Sequence, residues 1–272
     1  MPHLLFTKSV GCDIMLRIYQ ERMFCMFQGF SQEALDFLLG IRLNNNKEWF
    51  EERKSIYTEK IYEPLKELGA ELYAPYEETD GMMYKVGRIY RDANFPPYLH
   101  YRDTMWIYVR YDAWYWNKTP TLFFELSPEG AEFGFRIEKP EAAVMERFRS
   151  QLTEDCKPFL NMVNDAVEKY GLAIGGEEYK RAKKCTVPEA EEFFRKKGLS
   201  LSKKVSGKSL FSRRVANEAV KVFKGLREIN DYFHEIVEIN DLAKALEKGS
   251  LQTETAETDI TIVKAPDVDF MW

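Results

Sequence analysis

The chain has few of the residues that build metal sites. Its 272 residues include only three histidines and four cysteines. The cysteines, Cys12, Cys25, Cys156 and Cys185, form no CxxC pair, and none has a histidine at zinc-finger spacing. Cysteines so scattered are typical of packing roles in a reducing compartment. The sequence therefore predicts no metal, no cofactor and a cytoplasmic location.

Long apolar stretches are also lacking. No uncharged apolar run approaches the roughly 18 residues that a membrane-spanning helix needs, and charged residues make up 31% of the chain. Hydrophobic residues make up 45%, which is enough for a sizeable core. We expect a soluble protein that has no membrane partner. Its oligomeric state is left open.

An overall positive charge is missing as well. With 39 basic and 44 acidic residues the net charge is −5, which argues against a protein that coats nucleic acid with its whole surface. Between Lys180 and Arg214, however, twelve Lys or Arg residues stand against three Glu. This basic patch is either a solvated helix surface or an electrostatic footprint for a polyanion.

Sequence periodicity divides the chain into blocks of helix, strand and helix. Short links join segments rich in β-branched and aromatic residues at 83–90, 105–111, 121–126 and 132–137, which predicts an antiparallel meander. The blocks favour an α+β fold in which a sheet of about four or more strands is flanked by N-terminal and C-terminal helices. The segment Gly198–Ser209 is interpreted as a basic loop.

The expected domain organisation has three parts. Residues 26–246 form a single α+β domain, and residues 247–272 form a disordered acidic tail because they lack periodicity. Residues 1–25 have poor periodicity and are interpreted as an N-terminal extension with a mis-assigned start. Met26 is the better start, since the following residues lead directly into a helix that Ser31 caps.

Cationic and aromatic residues are densest between Tyr84 and Trp116. The strand at 105–111 carries three of them on one face: Trp106, Tyr108 and Arg110. In the strand before it, three polar residues share a face: Arg88, Tyr90 and Asp92. If the two faces are adjacent, they form a platform that stacks bases or sugars and holds a phosphate or carboxylate. In the alternative interpretation, the aspartates pair with nearby arginines and the rings cover the sheet.

These residues fall into two candidate roles. The ligand-binding candidates are cationic or aromatic: Arg88, Arg91, Arg102, Trp106, Arg110, Lys180 and Arg181. The catalytic candidates are Asp92, His100 and Asp103, where Asp103 orients the imidazole as a general base and Asp92 adds a carboxylate. A His-x-x-Asp spacing is a weak signal, and an exposed histidine with no function is the alternative.

Three functions remain open. The best-supported one is binding of an anionic ligand, phosphorylated or nucleic acid, on the arginine and aromatic face. A hydrolase or transferase would use Asp92 or His100 with arginines as charge stabilisers. A protein-interaction module would use the basic helices and the acidic tail. Whether the protein is an enzyme is not decided by the sequence.

Four motifs connect the chain to a family: residues 27–30, the run from Asn44 to Phe50, the run from Arg88 to Asp92 with Phe95, and residues 179–182. With them the chain resembles a widespread, mainly bacterial family of conserved hypothetical proteins, domain of unknown function 2461, over roughly residues 26–240. The resemblance implies a single domain and implies no reaction.

The chain departs from the family pattern at one place. Where members have a Lys-x-Pro-Tyr-Lys run, this chain has residues 96–102 without lysine and with His100 and Arg102. If the family's lysines bind an anion, this protein either uses Arg102 instead or takes a different ligand.

The proposed start is testable directly. N-terminal mass measurement of the native protein is expected to find Met26 as the first residue. A native protein that begins at Met1 would contradict the interpretation of residues 1–25.

Overall fold

Three stretches of the chain are described by the structure, a computed structural model: residues 26–113, 118–181 and 183–247. The predicted extension at 1–25 lies outside the described residues, as does the predicted disordered tail from residue 248 onwards. The described part is an α+β fold with an antiparallel sheet and helices on its N-terminal and C-terminal sides, as predicted.

The first helices begin at residues whose polar side chains accept hydrogen bonds from backbone amides. The oxygens of Ser31 and Asn46 each accept the amide three residues ahead, at 3.3 and 2.9 Å, which satisfies a donor that the helix start leaves free. The N-terminal helices are α1 (Gln32–Leu43), α2 (Lys47–Ile56) and α3 (Glu63–Tyr73). A π-helical segment at 57–62 joins α2 to α3, and Pro64 lies in the first turn of α3.

Six antiparallel strands form the sheet. They are β1 (Met82–Val86), β2 (Met105–Tyr111), β3 (Thr121–Ser127), β4 (Gly130–Ile137), β5 (Ala173–Gly175) and β6 (Leu199–Val205). Their spatial order is β1-β2-β3-β4-β6-β5. The first four strands are the predicted meander. β1 and β5 are the two edges of the sheet.

The prediction of a basic loop at Gly198–Ser209 was wrong. Most of that segment is β6, which pairs with both β4 and β5. Leu199 and Leu201 are buried, while Ser200 and Ser202 alternate with them on the other face. Two lysines follow this short alternation in the sequence, so the strand pattern was hidden by charge.

The first strand is shorter than predicted. β1 ends at Val86 rather than at residue 90, and beyond it the chain pairs irregularly with the residues before β2. Three backbone hydrogen bonds of 2.7–2.8 Å hold the two sides together: Gly87 N to Trp106 O, Arg102 N to Ile89 O, and Arg91 N to His100 O. Residues 87–104 therefore project from the sheet edge as a hairpin-like arm, which we call the arm.

The C-terminal helices complete the fold. They are α4 (Ala142–Glu154), α5 (Lys157–Tyr170), α6 (Glu191–Phe194), α7 (Arg214–Gly225) and α8 (Arg227–Glu247). α7 ends at Gly225, and α8 begins two residues later. A side chain at Gly225 would lie 2.2 Å from Cε2 of Tyr170, so glycine makes room for that ring.

The core lies between one face of the sheet and the helices. Phe124 and Phe133 stack across neighbouring strands with ring centroids 5.7 Å apart. Phe30, ahead of α1, reaches Phe124 from the N-terminal side, at 6.1 Å. Phe233 of α8 lies 5.5 Å from Phe135 on the C-terminal side. The inner face of the sheet is thus covered from both ends of the chain. Among the described residues, no helix is long and apolar enough to cross a membrane.

Two glycines test how closely β4 and β6 approach. Gly134 (φ +156) would place a Cβ 2.0 Å from the Leu201 carbonyl oxygen, whereas Gly207 (φ +67) has open space around it. Gly207→Ala is expected to cost about 1–2 kcal/mol from backbone conformation alone. Gly134→Ala is expected to cost clearly more, because it also forces the two strands apart. Urea denaturation measures both, and equal losses would contradict the close packing.

Candidate functional site

The outer face of β2 carries the aromatic and cationic side chains that strand parity predicted. Trp106 and Tyr108 lie opposite Glu125 and Phe123 of β3, and Arg110 lies opposite Met83 of β1. The alternate residues of β2, 105, 107 and 109, are fully buried in the core. Because successive side chains point to opposite faces, burial of one set places the other set outward.

A stacked pair of rings forms the centre of this face. The Trp106 and Tyr108 ring centroids are 4.2 Å apart with planes 16° from parallel. Gly87 makes the position of Trp106 feasible, since a Cβ there would lie 2.4 Å from the indole Cε2. The indole is half-buried and therefore keeps part of its surface open to a ligand.

One arginine on this face is already paired. Arg136 of β4 lies 4.1 Å from the Phe123 ring centroid and donates to the Tyr108 hydroxyl at 2.5 Å. It also contacts the carboxylates of Glu125 at 2.6 Å and Glu138 at 3.0 Å. We assign Arg136 a structural role, because its charge is neutralised within the sheet.

Arg110 differs from Arg136 in having no such partner. Its Nη1 atom is buried and makes no hydrogen bond with the described residues. Burial lowers the pKa of Arg110, and the charge of Asp112 acts in the opposite direction without forming an ion pair. A guanidinium with an enclosed, unsatisfied donor is costly for the protein alone. An anion that reached Nη1 would relieve that cost.

Arg102 joins the two sides of the arm through hydrogen bonds. Its Nη1 donates to the carbonyl oxygens of Arg88, at 3.0 Å, and of Tyr90. Burial and then the charge of Arg91 lower the pKa of Arg102, whereas nearby Tyr108 acts to raise it. Arg102 therefore lies beside the β2 face as well as in the arm. Within the described residues, Arg88, Arg91 and Arg102 form no ion pair with a carboxylate, and the first two are exposed.

The tip of the arm is a turn that exposes aromatic rings. Asp92 Oδ1 accepts from the amide nitrogen and from Nδ2 of Asn94, both at 2.9 Å. The Pro96-Pro97 bond is cis, and Tyr98 has φ 60°. Phe95 is 61% exposed and Tyr98 is 66% exposed. The arm thus presents rings and arginines together.

The three catalytic candidates are separated by their contacts. Asp92 is engaged in the turn with Asn94. Asp103 forms an ion pair with Nε of Arg42, on α1, at 2.6 Å, and the same arginine contacts Glu129. His100 is exposed, and no hydrogen bond joins it to Asp103 in the described structure. A catalytic role for these residues stays a prediction that this geometry does not favour.

Lys180 and Arg181 lie apart from the other ligand-binding candidates. They follow β5, at the sheet edge opposite to β1 and the arm, and both are exposed. The structure therefore divides the predicted binding residues into two groups on opposite edges of the sheet.

Sequence analysis missed a half-buried cluster around His234 of α8. The Tyr111 ring stacks on the imidazole at 3.5 Å and 4°, and its hydroxyl donates to Asp231 Oδ1 at 3.0 Å. His234 Nδ1 is buried and has no hydrogen-bond partner in the part of the chain that the structure describes, and Nε2 lies 3.4 Å from Glu238 Oε1. No local sequence pattern indicates this cluster, because Tyr111 and Asp231 are 120 positions apart in sequence.

Titration of this cluster follows from its burial. Burial lowers the pKa of His234, and the carboxylates of Glu238 and Asp231 only partly oppose it. Burial and the hydrogen bond to Asp231 raise the pKa of Tyr111 to about 12. Among the described residues, no group of three or more His, Cys, Asp or Glu side chains is arranged to hold a metal ion.

Comparison of the sequence with known proteins identifies a family that this chain matches. The family model described as "Conserved hypothetical protein (DUF2461)" matches residues 33–232 of the chain. No match was found among curated proteins.

The His234 cluster predicts a specific pH dependence of stability. A histidine whose folded pKa is lowered stabilises the fold fully above its unfolded pKa of about 6.5, and this contribution is lost as the pH falls through the folded value. His234→Gln is therefore expected to show a smaller loss of unfolding free energy between pH 7 and pH 5 than the parent protein. Urea denaturation at pH 7 and at pH 5 measures the unfolding free energy of the variant and of the parent.

His100→Gln is the matched control, because that imidazole is exposed on the arm. It is expected to keep the pH dependence of the parent. If the His234→Gln variant kept the full pH dependence of the parent, the neutral form of His234 would contribute nothing to stability, which would contradict the prediction.

Proposed function

We propose that this chain, which belongs to the DUF2461 family, binds a phosphate-bearing ligand that also carries a base, either a nucleotide or a single-stranded nucleic acid. The ligand site is the arm together with the outer face of β2. The observation that carries the proposal is the set of arginines there, Arg88, Arg91, Arg102 and Arg110, which have no carboxylate partner within ion-pair distance in the described residues.

Electrostatics favours an external anion at this place. Burial removes hydration from the guanidinium groups of Arg102 and Arg110 and lowers their pKa values, and no carboxylate of the described residues forms an ion pair with either. The charge of Arg91 adds repulsion at Arg102. Phosphate oxygens match the forked donor geometry of guanidinium and would supply the missing negative charge.

The rings provide the second half of the recognition. Half-buried Trp106 stacks on the buried ring of Tyr108, on the same face of β2 as Arg110, and Phe95 and Tyr98 are exposed at the tip of the arm. Bases stack on such rings with little sequence preference, at about 1–3 kcal/mol each. Trp106 and Arg110 are about 13 Å apart along the strand at 3.3 Å per residue, a span suited to more than one nucleotide.

Competing functions have weaker support. The enzymatic alternative requires a free carboxylate near His100, whereas Asp92 and Asp103 are engaged elsewhere. The interaction-module alternative depends in part on a tail outside the described residues. A cytoplasmic location belongs to the same proposal, since Cys156 and Cys185 are free thiols.

Salt-dependent binding tests the proposal. Anisotropy of a labelled single-stranded oligonucleotide is expected to report binding that weakens between 50 and 200 mM salt. If Arg88, Arg91 and Arg102 each neutralise one phosphate, the slope of log K against log salt is roughly −2, from about −0.7 per phosphate. Arg88→Ala/Arg91→Ala is expected to weaken binding and to flatten the slope by about 1.4.

Lys208→Ala/Lys224→Ala is the matched control, because both lysines are exposed and lie outside the arm and β2. It removes the same charge and is expected to bind like the parent. Displacement of the oligonucleotide by a mononucleotide indicates a nucleotide site, and displacement only by longer strands indicates a nucleic-acid site. Binding that is absent, insensitive to salt, or equally affected in both double variants contradicts the proposal.

A further inference from the structure

A second arginine with an unsatisfied donor lies on α4, away from the arm. Arg149 is only 7% exposed, and its Nη1 atom is buried without a hydrogen-bond partner in the described residues. Arginine is rarely so buried unless it is paired, because the charged donor loses its hydration. This position therefore requires a separate explanation.

Three cations surround the ring of Tyr179 beside it. The Arg149 guanidinium lies 5.6 Å from the ring centroid, Lys183 Nζ lies 5.2 Å from it, and Lys197 Nζ 5.9 Å. The ring thus supports several like charges through cation–π contacts. Backbone bonding holds Tyr179 in place, since its amide donates to the Arg195 carbonyl at 2.9 Å. The positively charged groups therefore lie around a tyrosine ring whose backbone position is fixed.

Two of these cations, Arg149 and Lys183, line an open cavity of about 570 Å³. Arg149, Ser150, Lys183 and Lys184 line it, together with the exposed carboxylates of Glu146 and Glu154. Its volume suits a small-molecule ligand, for which pockets measure about 300–1,000 Å³.

The described residues neutralise only part of this group of charges. Of the cations near Tyr179, Lys197 pairs with Glu177. By contrast, Arg149, Lys183 and Lys184 form no ion pair within the described residues, even though Glu146 and Glu154 line the same cavity. Lys180 and Arg181, which follow Tyr179 in the chain, add two exposed positive charges nearby. The local excess of positive charge favours a multiply charged anion.

We infer that this cavity is a phosphate site, in which the Arg149 guanidinium and the ammonium groups of Lys183 and Lys184 bind the phosphoryl oxygens of a small phosphorylated ligand. The Ser150 hydroxyl adds a neutral donor at the same wall. The site is independent of the arm, since it lies toward β5 whereas the arm extends from β1 at the opposite edge. It also gives the basic patch found in the sequence a specific ligand class.

Isothermal titration of the full chain with inorganic phosphate and inorganic pyrophosphate tests the inference. The parent is expected to bind at least one of these probes. Lys183→Ala/Lys184→Ala is expected to weaken binding about tenfold or more, because the variant loses two charge-assisted hydrogen-bond donors to the anion. Both lysines are exposed, so this variant is expected to fold like the parent.

Arg149→Lys is the second variant, because it keeps the buried charge while removing the guanidinium fork. Weaker phosphate binding with an unchanged circular dichroism spectrum supports a binding role for Arg149. Lys208→Ala/Lys224→Ala is the control and is expected to bind phosphate like the parent, whereas Arg88→Ala/Arg91→Ala reports any phosphate that is bound at the arm.

The outcomes separate this site from the one on the arm. Loss of phosphate binding in the Lys183/Lys184 variant alone supports the inference, whatever the oligonucleotide experiment shows. Absence of phosphate and pyrophosphate binding in the parent overturns it. Loss of phosphate binding in the Arg88/Arg91 variant, with binding retained when Lys183 and Lys184 are replaced, also overturns it and assigns the anion to the arm.

Discussion

Burial of one face of the antiparallel sheet is the constraint on which the rest of the structure depends. Helices from both ends of the chain cover the inner face, where Phe124, Phe133 and Phe135 are fully buried. Side chains alternate between faces with a period of two, so placing the apolar residues of β2 inward forces Trp106 and Arg110 outward. The aromatic and cationic surface is a consequence of the same burial that builds the core.

At two places in the fold, a charged guanidinium group is buried without a full set of hydrogen bonds. Arg110 and Arg149 each have a buried Nη1 atom that finds no partner among the described residues, whereas Arg136 is satisfied by two carboxylates. An unpaired buried donor lowers stability, so a protein that keeps one commonly uses it for a ligand. The contrast with Arg136 shows that this sheet can neutralise an arginine internally. The two unsatisfied arginines are therefore the better candidates for ligand binding.

Much of the fold was predictable because its signals are local. Period-two alternation identified the meander of four strands, and Ser31 marked the start of the first helix. The family resemblance was confirmed by the match over residues 33–232. β6 was missed because lysines follow its short alternation, and its partners β4 and β5 are distant in sequence. Of the candidate site, parity predicted the face of β2 but not the partners of Asp92 or Asp103, which depend on how the chain turns.

The sequence by itself determined the fold class, the outward position of Trp106, Tyr108 and Arg110, and the existence of a basic patch. Each of these follows from residue type and spacing within a few positions. Only the tertiary structure decided which charges remain unpaired. Arg42 reaches Asp103 from α1, while Arg149 contacts Tyr179 and no carboxylate of the described residues pairs with it. These two contacts join residues 61 and 30 positions apart, and their energy depends on burial and distance, which no local pattern encodes.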